Sequence, residues 1–302
     1  MVLAPRPDRS ALARGRARRG HRGGATQRSL IAGALGACAA LAAWAALVEP
    51  RVVLVRRSTL KLPRWPRSLQ GLRVAVVADL HAGGPHVGER RLEQVVDRVN
   101  RARPDLVVLL GDYVDPVIPG VDPLAPERVA ARLAALRAPL GTVAVLGNHD
   151  WADDGERVAD ALRATGARVL ENEAVTLHSG GSVLTVSGLA DLREREPDLD
   201  AALAPPSDDA PLLLLSHDPD VFPDVPERVS LTVAGHLHGG QIDVPWLRRL
   251  VIPSRFGARY RDGHTVEGGR HLYVSRGIGT SGLPLRLRSP AGIDILELVA
   301  GE

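Results

Sequence analysis

Residues Leu72–His81 read LRVAVVADLH, an almost continuous apolar run that stops at Asp79 and His81. Short apolar runs that end at Gly or polar residues are typical of parallel strands covered on both faces. The same pattern recurs at four later places, which are Leu106–Leu110, Val143–Leu146, Leu212–Leu215 and Leu231–Ala234. The chain therefore predicts an α/β fold with a largely parallel sheet.

A cluster of polar residues follows each of these runs. The five clusters are Asp79-Leu80-His81, Gly111-Asp112, Gly147-Asn148-His149-Asp150, Ser216-His217-Asp218 and Gly235-His236-Leu237-His238-Gly239-Gly240. Side chains that leave the carboxyl ends of parallel strands converge on one crevice of the sheet. They provide imidazole, carboxylate and amide donors but no thiolate, a set that suits two divalent cations joined by a shared carboxylate.

In this order, the clusters resemble the calcineurin-like metallophosphoesterases, and the resemblance runs from about Gln70 to the C-terminus. The stretch Gly235–Gln241 and the late segment Val274–Arg286 are similar to the membrane-associated bacterial branch of that family. This branch includes UDP-2,3-diacylglucosamine pyrophosphatases and exported cell-wall phosphoesterases. The resemblance implies a four-layer α/β sandwich, in which two mixed sheets are stacked and flanked by helices.

The remaining pattern agrees with such a sandwich. Apolar residues recur at helical spacing in three segments, Glu89–Arg101, Pro126–Arg137 and Asp154–Thr165. Alternation around Gly180-Gly181 predicts a hairpin within Arg168–Leu189. Pro205–Ala210 and Pro253–Gly269 are expected to be loops, and Val52–Val55 is expected to be a short outer strand.

The resemblance also implies a ligand set for two divalent ions, which could be Mn, Fe, Zn or Co. Asp79, His81 and His238 would hold the first ion. Asn148, His217 and His236 would hold the second, and Asp112 would bridge the pair. Two such ions make hydroxide from water and neutralise phosphoryl oxygens, so hydrolysis would proceed by attack of that hydroxide on phosphorus.

Four polar residues receive roles outside this ligand set. His149 would donate a proton to the leaving oxygen or stabilise its charge, and Asp150 would orient its imidazole. The alternative is that His149 only caps a loop. Arg276 and Arg286 are candidates for binding the substrate phosphate, although either could be an ordinary surface arginine.

Three further features are weaker indications. Asp218 is expected to support the ligands indirectly, and His86 is a candidate for lining the pocket. Trp246–Ile252 combines apolar residues with Arg248 and Arg249, so it predicts either a core segment or a lip that touches lipid.

The N-terminal region predicts a membrane anchor. Residues 1–28 form a basic tail that is expected to be disordered and cytoplasmic. Residues 29–48 are twenty uncharged residues, the length of a single transmembrane helix. Residues 49–69 would be a connector and 70–302 the catalytic domain, on the extracytoplasmic side of the cell membrane. A cleaved signal peptide ending near Ala43-Trp44-Ala45 is the alternative.

Charge and composition narrow the substrate class. Of 38 basic and 35 acidic residues, eight arginines and one aspartate lie in residues 1–48, so the remainder carries a net charge of about −4. An acidic body that is poor in aromatics argues against nucleic acid. We therefore expect a phosphodiesterase or pyrophosphatase that acts on a lipid or cell-envelope molecule. The alternatives are a phosphomonoesterase or nucleotide phosphodiesterase with a soluble substrate, or a non-catalytic scaffold. The sequence does not indicate an oligomeric state.

Overall fold

The computed structural model describes residues 22–115, 124–204, 210–245 and 252–301. Contacts divide the chain into two units, Met1–Trp44 and Ala45–Glu302. Helix α1, Arg22–Ala43, belongs to the first unit. Residues 27–51 form a continuous helical segment that is long enough to cross a membrane, and an 18-residue window within it has a mean hydropathy of 2.1 and is only 6% buried. The predicted tail up to residue 21 lies outside the described residues.

The second unit contains two six-stranded mixed sheets. The first sheet has the order β1-β12-β2-β3-β4-β5, and the second has the order β10-β11-β9-β8-β7-β6. The strands are β1 Val53–Leu62, β2 Leu72–Val77, β3 Leu106–Leu110, β4 Thr142–Val145, β5 Arg168–Val169, β6 Glu173–Ser179, β7 Ser182–Gly188, β8 Leu212–Leu215, β9 Leu231–Ala234, β10 Gly263–Glu267, β11 Arg270–Val274 and β12 Ala291–Ala300. The helices of this unit are α2 Glu89–Ala102, α3 Pro126–Leu133, α4 Asn148–Arg163 and α5 Leu199–Ala202.

Three apolar clusters hold the layers together. Strand β3 shows how, because its side chains alternate between two of the clusters. Val107 and Leu109 pack with α2, α3 and α4, whereas Leu106, Val108 and Leu110 pack between the two sheets. A third cluster covers the outer face of the second sheet and includes Phe222 and Tyr260. The expected four-layer sandwich of two mixed sheets flanked by helices is therefore confirmed.

The connector prediction needs correction. Residues 53–62 of the expected connector form β1, which pairs in parallel with β12 over ten positions from Val53↔Ala291 to Leu62↔Ala300. The folded unit thus begins near Ala45 and not at residue 70. The expected outer strand Val52–Val55 marks only the start of β1. Beyond Val55 this edge strand is mostly polar and partly exposed, so the apolar run that marks the central strands stops there. The expected loop Pro253–Gly269 likewise contains β10.

Helix α4 starts six residues earlier than its apolar periodicity predicts, at Asn148 instead of Asp154. Its first turn is polar because it carries Asn148, His149 and Asp150. The backbone of Asp154 then interrupts the helix with non-helical angles. The start of this helix therefore belongs to the candidate site, and the apolar face begins only after the interruption.

Candidate metal centre

The predicted ligands lie together at the carboxyl ends of five strands. Asp79 and His81 follow β2, Asp112 follows β3, Asn148 opens α4 after β4, His217 follows β8, and His236 and His238 follow β9. Six of the seven are buried, and Asn148 is half-buried. The two sheets therefore deliver all seven side chains to one crevice.

The backbone at this crevice is unusual. Five of the candidate ligands have left-handed backbone angles, with φ of 50° at Asp79, 44° at His81, 53° at Asp112, 66° at His236 and 51° at His238. Residues other than glycine rarely adopt this conformation, and it persists where the surrounding structure imposes it. The chain thus turns sharply at the ends of β2, β3 and β9, which directs these side chains inward.

Close packing against the candidate carboxylates requires glycine. A Cβ on Gly147 would lie 2.3 Å from Oδ1 of Asp112. A Cβ on Gly277 would lie 2.5 Å from Oδ2 of Asp79, and Gly277 also has a φ of 63°. Any larger residue at these positions would displace a candidate ligand.

The first group of ligands consists of Asp79, His81 and His238, whose donor atoms lie within 4.8 Å of one another. The Nε2 atoms of His81 and His238 face each other at 3.1 Å. Oδ1 of Asp79 accepts a hydrogen bond from the main-chain N–H of His236 at 2.9 Å. Its other oxygen, Oδ2, is buried and has no hydrogen-bond partner, which is costly for a carboxylate unless a cation binds there.

The second group consists of His217, His236 and Asn148. Nε2 of His217 lies 3.0 Å from Nδ1 of His236 and 3.2 Å from Oδ1 of Asn148. A single proton on Nε2 of His217 can make a good hydrogen bond to only one of these two acceptors. A cation between them would be bound by all three lone pairs, so the donor set fits a metal ion.

Asp112 lies between the two groups. Its Oδ2 atom is 3.4 Å from Nε2 of His81 and 3.3 Å from Nε2 of His217. Oδ1 accepts the main-chain N–H of His149 at 2.9 Å. One oxygen of a single carboxylate therefore faces both halves of the centre.

The charge state of the centre favours metal ligation. Burial lowers the pKa of His81 to about 3 and lowers the pKa of His236 and His238 well below the usual range. These imidazoles are neutral and offer lone pairs. Burial raises the pKa of Asp79 to about 7, opposed by the nearby His217.

Asp112 and His217 behave as an ion pair. Burial alone would lower the pKa of His217, but the charge and hydrogen bond of Asp112 outweigh it and raise that pKa well above the usual value. Burial would raise the pKa of Asp112, yet His217 and the other imidazoles hold it well below its usual range. A bound cation would take the place of the proton that the raised pKa keeps on His217.

His149 projects from the start of α4 beside the first group, with its ring 4.8 Å from the ring of His81. Its Nε2 atom lies 3.2 Å from Oγ of Ser281, and its Nδ1 atom lies 3.8 Å from Oδ1 of Asp115. Asp115 is buried. It stands three residues after Asp112 in the same loop, and the sequence reasoning missed it although Gly111–Asp115 contains two carboxylates after one strand.

The prediction that Asp150 orients His149 is wrong. The carboxylate of Asp150 instead accepts hydrogen bonds from main-chain N–H groups, of Asp112 at 2.8 Å, Tyr113 at 2.8 Å and Gly147 at 2.9 Å. The bond to Gly147 is half of a capping box at the start of α4. Asp150 therefore holds the loops together, and Asp115 is the carboxylate that faces His149.

The prediction that Arg286 contacts substrate is also wrong. Arg286 is completely buried, and its guanidinium donates to the main-chain carbonyls of Gly279, Ser289 and His238. Burial lowers its pKa to about 10. Arg276 pairs with Asp262 at 2.6 Å, and it is not among the residues that line the cavity beside the centre. These arginines support the loops around His238.

A cavity of about 340 Å³ opens beside the centre. Its lining residues are Asp112, Asn148, His149, Arg193, His236, Leu237, His238, Gln241, Ile242, Pro253, Ser281, Gly282 and Leu283. A larger surface depression of about 1180 Å³ contains none of the candidate ligands. The smaller cavity is therefore the candidate substrate pocket.

Among the described residues that line this pocket, Arg193 carries the positive charge, and no sequence motif indicated it. Its Nε atom donates to Oδ2 of Asp218 at 3.1 Å, and the same Oδ2 lies 3.6 Å from Nε2 of His236. Asp218 thus supports both a ligand and a pocket arginine, in line with its expected indirect role. His86 does not line the pocket and instead contacts the carbonyl of Pro284 at 3.0 Å. Trp246–Val251 of the expected lip lies outside the described residues, and Ile252 is buried in the core.

Comparison with known proteins agrees with this geometry. The model of the calcineurin-like phosphoesterase family matches residues 72–249, which include all seven candidate ligands. This chain belongs to that family and is a metal-dependent phosphoric ester hydrolase.

Relatives extend the comparison along the chain. The metallophosphoesterase YkuE of Bacillus subtilis is 32% identical over 90% of this chain and 97% of its own length. A transmembrane protein with a metallophosphoesterase domain from Danio rerio is 29% identical over 82% of this chain and 57% of its own. UDP-2,3-diacylglucosamine pyrophosphatase LpxG of Chlamydia trachomatis is 26% identical over 78% of this chain and 86% of its own length. The apolar N-terminal helix and the transmembrane relatives indicate association with a membrane.

Proposed function

We propose that this protein hydrolyses a phosphodiester or pyrophosphate bond of a lipid or cell-envelope molecule, using two divalent ions. The observation that carries the proposal is the position of Asp112 Oδ2, between His81 Nε2 at 3.4 Å and His217 Nε2 at 3.3 Å. Asp79, His81 and His238 would hold one ion, Asn148, His217 and His236 the other, with Asp112 shared. The ions could be Mn, Fe, Zn or Co.

Metal ions in such a site activate water and neutralise the phosphoryl oxygens. The residues of the chain supply the rest. His149 faces the pocket and would hold a proton on Nε2 for the leaving oxygen, at the place where Ser281 Oγ now lies 3.2 Å away. Asp115, on the Nδ1 side of the ring at 3.8 Å, would orient the imidazole and stabilise its charged form.

The shape and lining of the pocket favour a substrate with an apolar part. Leu237, Ile242, Pro253 and Leu283 are among its lining residues, and Leu283 is 53% exposed. Arg193 adds a positive charge for an anionic group next to the reacting phosphorus. The relative LpxG is named for a lipid pyrophosphate substrate, which agrees with such a pocket.

A soluble phosphomonoester or nucleotide remains the second candidate because Arg193 and the polar centre would bind it equally well. The two classes are separated by measuring hydrolysis of a long-chain lipid pyrophosphate and of its short-chain soluble analogue with the same headgroup. Asp112→Ala is the control for contaminating activity. We expect a clear preference for the long-chain substrate, and equal kcat/KM for the two would contradict the lipid assignment.

We also propose that α1 is an uncleaved membrane anchor with the catalytic unit outside the cytoplasm. Eight arginines precede residue 29, and six basic residues follow within 49–69, so the charge asymmetry supports this orientation only slightly. External protease on intact cells should remove the catalytic unit, and a mature N-terminus upstream of residue 29 would exclude cleavage. Protection until the membrane is broken would reverse the orientation.

A further inference from the structure

A group of arginines lies on the surface of the catalytic unit where the apolar segment ends. Arg51 is the last residue of that segment. Together with Arg91, Arg98 and Arg101 of α2, it lines a surface cavity of about 390 Å³, which also contacts Gln94 and Asp97. We call these four arginines the α2 basic patch. Arg91, Gln94, Arg98 and Arg101 share one face of α2 because these positions are three or four residues apart.

The positive charge of the patch is only partly balanced. Asp97 is the acidic residue among the lining side chains, and it lies 3.5 Å from Arg101 while both remain largely exposed. Arg51 and Arg98 donate to the main-chain carbonyls of Leu47 and Val53, which carry no formal charge. Burial, Arg98 and Arg51 together lower the pKa of Arg91. An anion in the cavity would relieve this repulsion.

The surroundings of the patch indicate where such an anion comes from. The residues next to Arg51 expose apolar side chains, with Leu47 60%, Val48 40% and Val52 37% accessible. Exposed apolar residues that adjoin a basic cavity at the end of an apolar helix match the boundary between acyl chains and headgroups. A soluble anion would make no contact with these exposed apolar side chains.

We propose that the α2 basic patch binds the phosphate headgroups of anionic lipids and holds the catalytic unit against the membrane. The inference rests on the proposed insertion of α1, not on phosphoester hydrolysis. Docking would bring α2, on the outer face of the first sheet, to the bilayer surface. The patch would act together with the anchor and would respond to lipid charge, which an apolar helix alone does not.

The test uses the full chain in lipid nanodiscs that are either neutral or rich in anionic phosphatidylglycerol. Cys38, the only cysteine, is replaced by serine, and a fluorophore is attached at Gln94→Cys within the patch. Quenching by a lipid-borne quencher reports contact with the bilayer. A label at His178→Cys, on the exposed edge strand β6 of the other sheet, is the matched position.

We expect strong quenching at position 94 in anionic discs, little in neutral discs, and loss of quenching at about 1 M salt, where the screening length falls to about 3 Å. The double variant Arg91→Gln, Arg101→Gln should weaken the quenching in anionic discs about tenfold or more, whereas Arg91→Lys, Arg101→Lys should retain it. Arg163→Gln with Arg259→Gln, an equal change of charge elsewhere, should have no effect.

Several results would overturn the proposal. Equal quenching in neutral and anionic discs would show that the anchor alone sets the distance. No quenching in either would exclude a lipid headgroup as the occupant. No quenching together with a change of the label on adding inorganic phosphate would assign the cavity to a soluble anion. Failure of the chain to copurify with any disc would instead refute the anchor, and with it this inference, while leaving hydrolysis untouched.

Discussion

Asp150 accepts a hydrogen bond from the main-chain N–H of Asp112 at 2.8 Å, although 38 positions separate them. This contact joins the loop after β3 to the first turn of α4. Each of these segments carries candidate ligands, and Asp150 is completely buried. The carboxylate therefore sets the spacing between two parts of the metal centre, and it is unavailable to the imidazole next to it in sequence.

Replacing Asp150 by asparagine should destabilise the protein without changing its choice of leaving group. The amide would place an NH₂ against main-chain donors, and an unsatisfied buried donor costs about 1–3 kcal/mol. The Tm of thermal unfolding and the amount of bound metal should both decrease. Asp115→Asn is the comparison, and it should retain stability but behave like a His149 variant. The opposite pattern would restore Asp150 as the partner of His149.

Asp112→Ala should abolish hydrolysis and lower the metal content because one carboxylate faces both groups of ligands. Metal analysis of the purified full chain, together with turnover of a soluble diester, measures both effects. A variant that retained two metals per chain and normal turnover would disprove the shared role of Asp112.

His149→Ala should retain its metal but lose about 10²- to 10⁴-fold in turnover, the usual range for a general acid. The loss should shrink for a nitrophenyl ester, because nitrophenolate leaves without a proton. Rates for a series of esters with different leaving groups decide this. An equal loss for every ester would assign His149 to charge stabilisation, and no loss would remove it from the reaction.

Arg193→Gln should impair substrates that carry a second phosphoryl group more than simple esters. A hydrogen bond to a charged group contributes about 1.5–3 kcal/mol, so kcat/KM for a pyrophosphate substrate should fall about 10- to 100-fold. Arg195→Gln is a matched control, because Arg195 lies two residues later and pairs with Glu171 outside the pocket. Equal losses in the two variants would remove Arg193 from the substrate site.

Metal affinity should decrease as the pH falls below about 7. Burial raises the pKa of Asp79 to about 7 in the metal-free centre, so protons compete with the ion for this carboxylate below that pH. The stabilisation of the fold by added Mn²⁺ or Zn²⁺, measured as a shift in Tm, should be larger at pH 8 than at pH 6. Asp79→Asn should flatten this dependence, and a pH-independent shift in the native chain would contradict the assignment.

The positions of the candidate ligands were predictable because their signal is local. An apolar run that ends at Asp79, or at Ser216 and His217, indicates both a strand and its polar end, and five repeats of that pattern indicate the crevice. The same reasoning found only the start of β1, because this edge strand is mostly polar and partly exposed beyond Val55.

The amino-acid sequence by itself determined the central strands, the candidate ligand residues and the family. Only the tertiary structure decided which neighbouring charges serve the site, because an arginine or carboxylate takes its partner from residues distant in the chain. Arg286 is buried among main-chain carbonyls, whereas Arg193 lines the pocket. Asp115 rather than Asp150 faces His149, since the first turn of α4 directs consecutive side chains to different sides of the helix.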